Sequence, residues 1–584
     1  MWICVLQLHV LILLVLFCCK ISCILDGSSS MEQKPNYRTS YHFQPPKNWM
    51  NDPNGPLYYK GVYHIFYQYN PISPVFGKIS WAHSVSRDLI NWVHLERMLD
   101  PTDSYDLNGC WSGSITILPG GEPTILYTGV DFNNSQVQNL AMPKNSSDPL
   151  LREWVKSEHN PLMIPVDELE SKNFRDPTTA WLGPDGIWRV IIGGDGNAVL
   201  YKSGDFIGWT RSDQPLHSAF GKTGMWECPD FFPVSVDGKN GVDTSVLDGR
   251  IKHVLKASFE GSHDDYVIGS YEGLTDKFKA ESEFMDSRLQ MRYDYGKFYA
   301  SKSFFDSAKS RRILWAWISE SDGDVGAIEK GWAGLQSIPR TILLDKSGSK
   351  LVQWPVDEID QLRSNEVKIR DKMLKGGALI EIENITASQA DVEASFKFGN
   401  LETAEDLDEK DLVDAPLLCS SRRASMRGAI GPFGLIVLAS EGLEEQTTIF
   451  FHVFKNGAKY VVLMCSDQSR SSLGEGLEKA TYGAFVDVDP LHEEISLRTL
   501  VDGSIVESFG GGGLTCITAR VYPKLAIGKE ARLYIFNNGT IDVAISRMNA
   551  WSMKPAQFHE SYSSQETDML WCQHQFGFGH GVVC

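Results

Sequence analysis

The apolar residues of this chain fall in short runs, and this pattern constrains the fold more than any other feature of the sequence. The clearest runs cover residues 62–67, 125–128, 188–192, 253–257 and 313–318, and they are rich in Val, Ile, Tyr, Phe and Trp. Gly, Pro, Asn and Asp separate them, which is typical of strands joined by turns. Long stretches with the period of a helix do not occur before residue 355. The sequence therefore predicts an all-β fold.

The second half of the chain carries three turn signals that predict a β-sandwich. Asn-Gly or Asp-Gly pairs stand at 456–457, 502–503 and 538–539, and strand-like runs flank each pair. These dipeptides accept positive φ and suit tight hairpins, and a meander of hairpins closes well as two packed sheets. Because 584 residues exceed what one hydrophobic core usually holds, at least two domains are expected. We predict a β-sandwich over residues 367–557.

Three further segments complete the predicted organisation. Apolar residues at positions 356, 359 and 362 predict a short amphipathic linker helix over 356–366. Residues 558–584 are expected to form a loose tail. Residues 1–25 resemble a signal peptide, because the apolar run at 5–19 is followed by small and polar residues. A membrane anchor is the alternative, although the run is short for a membrane span.

Polar or acidic motifs recur along the first half of the chain. They are separated by 51 to 67 residues and are centred on Asp52, Ser112, Asp176, Glu227 and Asp294. A four-stranded propeller blade takes about 40–50 residues in common repeats and more where its loops are long. We therefore predict a five-bladed β-propeller over 37–355. If each motif lies on the innermost strand of its blade, all five motifs meet at the central channel.

Charge and cysteine content narrow the classes of function. The net charge of −19 and the pI of about 5.2 argue against a nucleic-acid partner, which needs clustered Lys and Arg. None of the seven cysteines after the apolar N-terminal segment has the CxxC spacing of zinc ligands, and in a secreted chain one or two disulfides are expected. Secretion is supported by four N-glycosylation acceptors, Asn133, Asn145, Asn384 and Asn538.

Three local motifs place carboxyl groups in settings that suit catalysis, although each also has a purely structural interpretation. Asp52 lies in Trp-Met-Asn-Asp-Pro-Asn-Gly (49–55), which is either a β-turn or a sugar pocket with an aromatic platform. Arg175 beside Asp176 favours an ionised carboxylate, and it equally suits a structural ion pair. Glu227 lies between apolar neighbours, which favours the protonated form of a general acid, and a buried, hydrogen-bonded Glu fits as well.

Together these motifs resemble glycoside hydrolase family 32, in its plant invertase and fructan exohydrolase group. The resemblance covers about residues 37–557 and includes the segments 41–49, 111–114, 292–302 and 464–472. It implies a five-bladed β-propeller followed by a β-sandwich, in agreement with the strand pattern. It also implies a retaining hydrolase that releases terminal β-D-fructofuranosyl residues and requires no metal or cofactor.

The resemblance implies a role for each motif residue. Asp52 corresponds to the nucleophile, Glu227 to the acid/base and Asp176 to a residue that stabilises the transition state. In a retaining glycosidase the nucleophile and the acid lie about 5–5.5 Å apart. The resemblance also implies a disulfide between Cys419 and Cys465. The substrate-binding positions expected on this basis are Trp49, Met50, Asn51, Gln68, Phe76, Trp111, Ser112, Arg175 and Glu260.

Two departures from the invertase pattern bear on the substrate. Phe76 stands where typical plant invertases carry a Trp-Gly pair, so the indole N–H donor is lost. The loop at 257–265 lacks the Lys that helps invertases hold the glucose of sucrose, and Glu260 or His263 stands near the relevant positions. We therefore predict a fructan exohydrolase with little sucrose cleavage. A cell-wall-type acid invertase and a catalytically inactive sugar-binding relative are the alternatives.

The same comparison of motifs bears on location. Pro229 in the Glu-Cys-Pro motif resembles the extracellular branch, so the apoplast or cell wall is expected and the vacuole is the alternative. We expect a monomer that acts on fructan or sucrose, without a nucleic-acid partner and without stable membrane insertion after signal cleavage.

Overall fold

The fold is taken from a computed structural model of the chain, in which strands predominate. The predicted signal peptide, Glu260 and residues 561–584 of the predicted tail lie outside the described residues. Within the described part of the chain, no helix has the length and apolarity needed to cross a membrane. The structure describes residues 37–167, 170–219, 223–259, 263–284 and 291–560.

The described residues up to 355 form five mainly antiparallel sheets that follow one another along the chain. The first is β1 Asn48–Tyr59, β2 Val62–Asn70, β3 Ser80–Ser86 and β4 Trp92–His94. The second is β5 Gly109–Ile117, β6 Pro123–Val130, β7 Gln136–Pro143 and β8 Trp154–Lys156. The third is β9 Trp181–Leu182, β10 Trp188–Gly194, β11 Asn197–Ser203, β12 Trp209–Arg211 and β13 His217–Ser218. The fourth is β14 Trp226–Ser235, β15 Ile251–Phe259, β16 His263–Glu272 and β17 Lys277–Ala280.

The chain completes the fifth sheet with one detour into the first. It forms, in order, β18 Tyr299–Asp306, β19 Arg311–Ile318, α1 Gly323–Lys330, β20 Trp332–Ala333, β21 Leu335–Gln336, β22 Arg340–Leu344 and β23 Leu351–Pro355. Strand β20 pairs in parallel with β1 and so links the two ends of this half. The five short apolar runs singled out in the sequence all lie in strands, β2, β6, β10, β15 and β19, which confirms those predictions.

Strands of neighbouring sheets lie against one another along one line of contact. Strand β1 packs against both β5 and β18, and β14 packs against both β10 and β18. The second and third sheets are joined by hydrogen bonds, since Ser114 Oγ donates to the carbonyl of Pro177 at 2.8 Å. Residues far apart in sequence therefore meet where these strands converge.

The second half of the chain forms two packed antiparallel sheets. Its elements are β24 Arg363–Leu374, β25 Ala378–Glu381, β26 Gln389–Lys397, β27 Glu405–Asp406, α2 Ala415–Ser421, β28 Phe433–Ala439, β29 Thr447–Asn456, β30 Lys459–Asp467, β31 Thr481–Val486, β32 Ile495–Asp502, β33 Ile505–Gly510, β34 Thr515–Arg520, β35 Arg532–Asn537 and β36 Val543–Met553. One sheet has the order β24-β36-β26-β32-β33-β34; the other has β25-β35-β28-β29-β30-β31, with β27 beside β29. Their shared core contains Val392 and Ile517 from one sheet and Phe433 and Phe451 from the other.

Two of the three predicted hairpins are confirmed and one is wrong. Strands β29 and β30 pair across residues 457–458, and β32 and β33 pair across 503–504, with positive φ at Gly457 and Gly503. Strands β35 and β36 flank the Asn-Gly pair at 538–539 but lie in different sheets. This turn therefore carries the chain from one layer of the sandwich to the other.

The linker and the start of the tail also differ from expectation. The predicted helix over 356–366 is a short 3-10 helix, Asp357–Leu362, and β24 begins directly after it. The apolar residues of the predicted pattern, Val356, Ile359 and Leu362, are all buried, but the chain becomes extended at Arg363 and pairs with β36, which ends the helix. Residues predicted to open a loose tail instead form strand β37, Phe558–Glu560, which pairs in parallel with β4.

A buried network of charged groups joins the two halves. Arg340 donates to Asp294 at 2.9 Å and to Glu507 at 2.7 Å, and all three side chains are fully buried. His42 bonds the same Glu507 at 3.1 Å and Asp502 at 2.9 Å. Buried charges remain stable only when they are paired in this way, so the network fixes how the halves meet.

The disulfide implied by the resemblance is present, and the four glycosylation acceptors differ in accessibility. Cys419 and Cys465 are bonded in the sandwich. Three acceptor residues, Asn133, Asn145 and Asn384, are exposed. Asn538 is half-buried, and its Nδ2 donates to the carbonyl of Ala424 at 3.0 Å, so its amide is already engaged.

Candidate active site

Three carboxyl groups from three sheets meet around Cys228. The Sγ atom of Cys228 lies 3.4 Å from Oδ2 of Asp52, and its backbone N–H donates to Oδ2 of Asp176 at 2.9 Å. Glu227 precedes it in the chain on strand β14. Cys228 and Asp176 have φ of 44° and 67°, a region that costs free energy for residues other than glycine and that clusters at functional sites.

Four of the strands that carry residues of this site have an interruption in their regular pairing. The register shifts between Met50 and Pro53 in β1, between Cys110 and Gly113 in β5, between Glu227 and Asp230 in β14, and between Tyr299 and Lys302 in β18. Such bulges bend the strand and redirect side chains. Asp52, Ser112 and Cys228 therefore leave the regular alternation and point to one place.

Asp52 is held by donors on both of its oxygens. Ser112 Oγ donates to Oδ2 at 2.5 Å, and Asn51 Nδ2 donates to Oδ1 at 3.1 Å. The same amide group of Asn51 donates to Gln68 Oε1 at 2.8 Å, and Gln68 in turn donates to Ser112. Because the donors form a closed chain, the carboxyl group has one fixed orientation.

Glu227 is bound from two sides by Arg175 and Tyr299. Arg175 Nη2 donates to Oε1 at 2.6 Å, and the Tyr299 hydroxyl donates to Oε2. The guanidinium is farther from the adjacent Asp176, at 3.8 Å. The Glu227 side chain keeps 26% of its surface exposed, against 5% for Asp176, so Glu227 is the more accessible of the two.

Burial dominates the protonation of the other two carboxyl groups. It raises the pKa of Asp52 to about 6, with a further contribution from the negative charge of Asp176, while the Ser112 hydrogen bond opposes the shift. Burial also raises the pKa of Asp176, and the neighbouring Arg175 opposes this rise. Arg175 favours the ionised form of Asp176 as expected, but desolvation outweighs it in the net direction of the pKa shift.

The other expected substrate-binding residues divide into surface and supporting positions. Phe76 is 54% exposed, and Trp49 and Trp111 are partly exposed. Asn51, Gln68 and Ser112 are almost fully buried beneath Asp52 and act on it through the hydrogen bonds described above.

Met50 and Asp294 do not lie where the sequence interpretation placed them. Met50 is 0% exposed and packs in the hydrophobic core, so its side chain has no surface for a sugar. Asp294 precedes β18 and bonds Arg340 and Thr518 at the junction of the two halves. Its acidic character serves the buried network, and the fifth sheet contributes Tyr299 to the site instead.

Three residues of the site were not anticipated from the sequence. Cys228 and Tyr299 contact the carboxyl groups directly, and Trp317 stacks edge-on between Trp49 at 5.6 Å and Tyr299 at 6.3 Å. Tyr299 lies in the segment 292–302, which carries the family resemblance, and this was the signal available for it. The contacts of Tyr299 and Trp317 with distant residues depend on the bulge geometry and could not be read from spacing.

The chain matches both domains of one enzyme family. Residues 42–355 match the Glycosyl hydrolases family 32 N-terminal domain and residues 358–552 match the Glycosyl hydrolases family 32 C terminal. The chain is 55% identical to a fructan 6-exohydrolase of Beta vulgaris over 535 residues, which span 90% of this chain and 88% of that protein. It is 56% identical to an insoluble isoenzyme of beta-fructofuranosidase from Arabidopsis thaliana, over 89% of this chain and 91% of that protein.

A solved structure gives the same result for the fold. The crystal structure of fructan 1-exohydrolase IIa from Cichorium intybus is 57% identical, covers 91% of this chain and 100% of its own, and superposes with a TM-score of 0.89. A second structure of that protein holds 1-kestose. From both domain matches and these relatives, the chain belongs to glycoside hydrolase family 32, with the propeller and sandwich of that family, and it is a glycosidase of the β-fructofuranosidase class.

Proposed function

We propose that Asp52 is the nucleophile, Glu227 the acid/base and Asp176 a stabiliser of the transition state in a retaining fructosidase. The observation that carries this proposal is the meeting of the three carboxyl groups around Cys228. Asp52 is oriented by Ser112 and is partly exposed, so a sugar can reach its carboxylate. Glu227 is more exposed than Asp176 and would protonate the leaving group.

The reaction runs in two steps through a covalent intermediate. A carboxylate oxygen of Asp52 attacks the anomeric carbon of the terminal fructosyl unit while Glu227 donates its proton to the glycosidic oxygen, which leaves as an alcohol. Glu227, now ionised, takes a proton from water, and the oxygen of that water attacks the same carbon. Free fructose leaves, the bond to Asp52 breaks, and Glu227 is protonated again. Asp176 accepts hydrogen bonds from fructose hydroxyl groups that strengthen as positive charge develops.

The cycle needs an ionised nucleophile, and the raised pKa of Asp52 opposes this at pH values below about 6. At the start, one carboxyl group must be protonated and another ionised. Three acidic groups in a buried site do not all ionise together, and the pKa of Asp52 near 6 places one such titration in the mildly acidic range. The proton of the reactive complex belongs on Glu227, because that group faces the leaving oxygen.

We propose a fructan, rather than sucrose, as the preferred substrate. An aromatic strip runs from the exposed ring of Phe76 to Trp49 at 6.0 Å and on to Trp317, which offers an apolar surface to sugars beyond the cleaved bond. His263 packs on Phe259 and Asp265, and burial lowers its pKa to about 4, so it supplies no charge for glucose. Relatives with either activity are equally similar, so sequence identity does not decide between them.

Initial rates on four substrates test this preference. The purified protein would be assayed at mildly acidic pH on sucrose, 1-kestose, inulin and levan. The proposal expects fructose release from inulin or levan with little from sucrose, and the better polymer identifies the linkage. Dominant sucrose cleavage would make the protein an acid invertase, and inactivity on all four would favour the sugar-binding relative.

We also propose a blade number, an oligomeric state and a location for this protein. The five sheets of the first half are proposed as the five blades of the propeller, and the protein as a secreted monomer of the apoplast or cell wall. Relatives described as insoluble or cell wall isozymes of beta-fructofuranosidase support that location. Sedimentation of the protein purified from a plant secretion tests whether it is a monomer. The loss of mass on deglycosylation tests whether the exposed Asn133, Asn145 and Asn384 carry glycans.

A further inference from the structure

A lysine that the proposed mechanism does not use lies fully buried beneath the site. Lys256 on β15 is 0% exposed. Its Nζ donates to the carbonyl of Cys228 at 3.0 Å and to the carbonyl of Ser301 at 2.9 Å. It also contacts Ser258 Oγ at 2.8 Å and Oδ2 of Asp264 at 3.0 Å. Every proton of this ammonium group is thus engaged.

The contacts of Lys256 replace backbone hydrogen bonds that are missing where a bulge interrupts the pairing of β14 with β15. Glu227 pairs with Ser258 and Asp230 pairs with Lys256, so Cys228 and its neighbour have no partner in the ladder. A buried carbonyl without a partner is costly, and Lys256 supplies the missing donor for Cys228. The bulge that aims Cys228 and Glu227 at the site is therefore held by this side chain.

The ion pair between Lys256 and Asp264 also binds the backbone of the fifth sheet at Ser301. Asp264, also fully buried, accepts the backbone N–H of Ser301 at 2.8 Å, while Lys256 binds the carbonyl of Ser301. Ser301 lies inside the bulge of β18 between Tyr299 and Lys302, next to Ala300, which has φ of 52°. One buried pair thus anchors the two backbone segments that carry Glu227 and Tyr299.

We infer that the Lys256–Asp264 pair is a positioning element for the acid/base, because it sets Glu227 and Tyr299 relative to each other across two sheets. This inference rests on the proposed role of Glu227. It makes Lys256 a residue that acts through Glu227 and never touches the sugar.

The test compares substrates that differ in their need for an acid. Lys256→Met is expected to lower kcat on 1-kestose about tenfold to a hundredfold, with KM changed less than about threefold. On a nitrophenyl β-fructofuranoside, whose leaving group needs little protonation, the loss in kcat/KM should stay below about threefold, because kcat/KM reports the first step and excludes the second, in which Glu227 acts as the base. Equal losses on both substrates, or no loss on either, would overturn the inference.

Three further variants serve as controls for the effect of Lys256→Met. Arg189→Met removes another fully buried cation, which lies on β10 of the third sheet and pairs with Asp185 and with Asp276 of the fourth, and it should show no such difference between substrates. If Lys256→Met does not fold, Asp264→Asn is measured in the same way, since it weakens the pair but keeps Lys256 on both carbonyls. Glu227→Gln must itself lose more activity on 1-kestose than on the nitrophenyl substrate, and if it does not, the proposed function fails. If Glu227→Gln shows this difference and Lys256→Met does not, only the inference about Lys256 fails.

Discussion

Arg175 donates a hydrogen bond of 2.6 Å to Glu227, although Asp176 is its neighbour in the chain. The guanidinium therefore spans the site from the third sheet to the fourth and restrains the group proposed as the acid/base. Its distance of 3.8 Å to Asp176 makes that contact the weaker of the two. This arrangement leads to the first prediction.

Arg175→Met should lower kcat/KM on 1-kestose about tenfold to a hundredfold. Hydrogen bonds to charged groups contribute about 1.5–3 kcal/mol, and the variant also removes a charge that opposes the raised pKa of Asp176. Arg175→Lys should recover part of the loss, because it restores the charge without the paired donors. Arg363→Met, which breaks ion pairs in the sandwich, serves as the control and should leave kcat/KM unchanged.

Ser112→Ala should move the acidic limb of the pH profile to higher pH. The Ser112 hydroxyl stabilises the ionised form of Asp52 and so lowers its pKa, which burial holds near 6. Without this donor the pKa rises, and a larger share of the enzyme has a protonated nucleophile at a given mildly acidic pH. The measurement is kcat/KM against pH. Ser114→Ala, two residues further on and bonded to Pro177, should leave the limb in place; a limb unmoved in Ser112→Ala would contradict the assignment of Asp52 as nucleophile.

Asp52→Asn should stabilise the fold at neutral pH and not at acidic pH. The folded-state pKa of about 6 lies above the ordinary value of 3.8, so the wild type is most stable below pH 3.8 and loses this contribution as pH rises through 6. The variant has no such loss. At pH 7 its free energy of unfolding should exceed that of the wild type by about 3 kcal/mol, and near pH 3 the difference should vanish. Thermal or urea unfolding at the two pH values checks this, and a variant less stable at pH 7 speaks against it.

Phe76→Ala should weaken fructan cleavage more than sucrose cleavage. The ring of Phe76 is exposed and packs edge-on against Trp49, so it can contact sugars beyond the cleaved bond. Loss of such an aromatic contact costs about 0.5–1.5 kcal/mol beyond buried area, and the expected change is a rise in KM for inulin and 1-kestose. Ile72→Ala removes an exposed side chain from the same turn and serves as the control.

Introducing invertase-like residues at positions 76, 260 and 263 should improve sucrose cleavage. Phe76→Trp combined with Glu260→Asp and His263→Lys introduces an indole donor and charged groups near the positions that invertases use for glucose. An increase of kcat/KM on sucrose supports the substrate interpretation. An unchanged ratio of sucrose to fructan cleavage places specificity elsewhere.

Fold class was largely predictable from the sequence, because strand patterning and turn residues are local properties. The runs around Ile125 and Ile313 are strands for the reasons that their β-branched and aromatic residues suggest. The turn at 538–539 shows the limit, since a tight turn has the same chemistry whether it joins strands of one sheet or of two. Strand β37 was missed because its three residues depend on pairing with β4.

The site was predictable only in part. Asp52, Asp176 and Glu227 stand in motifs with recognisable chemistry, and the structure brings them together. Asp294 carries an equally acidic motif but bonds Arg340, and nothing in its neighbours distinguishes the two situations. The direction of the Asp176 pKa shift depends on burial, which the adjacent Arg175 alone does not reveal.

The most direct test of the account is the identity of the residue that carries the fructosyl unit. Glu227→Gln would be mixed with a nitrophenyl β-fructofuranoside, quenched in acid and digested, and the peptides measured by mass spectrometry. With a leaving group that needs little protonation and a slow hydrolysis step, the account predicts one fructosyl unit on the peptide that contains Asp52. A fructosyl unit on Asp176, or full turnover in Asp52→Ala, would contradict it.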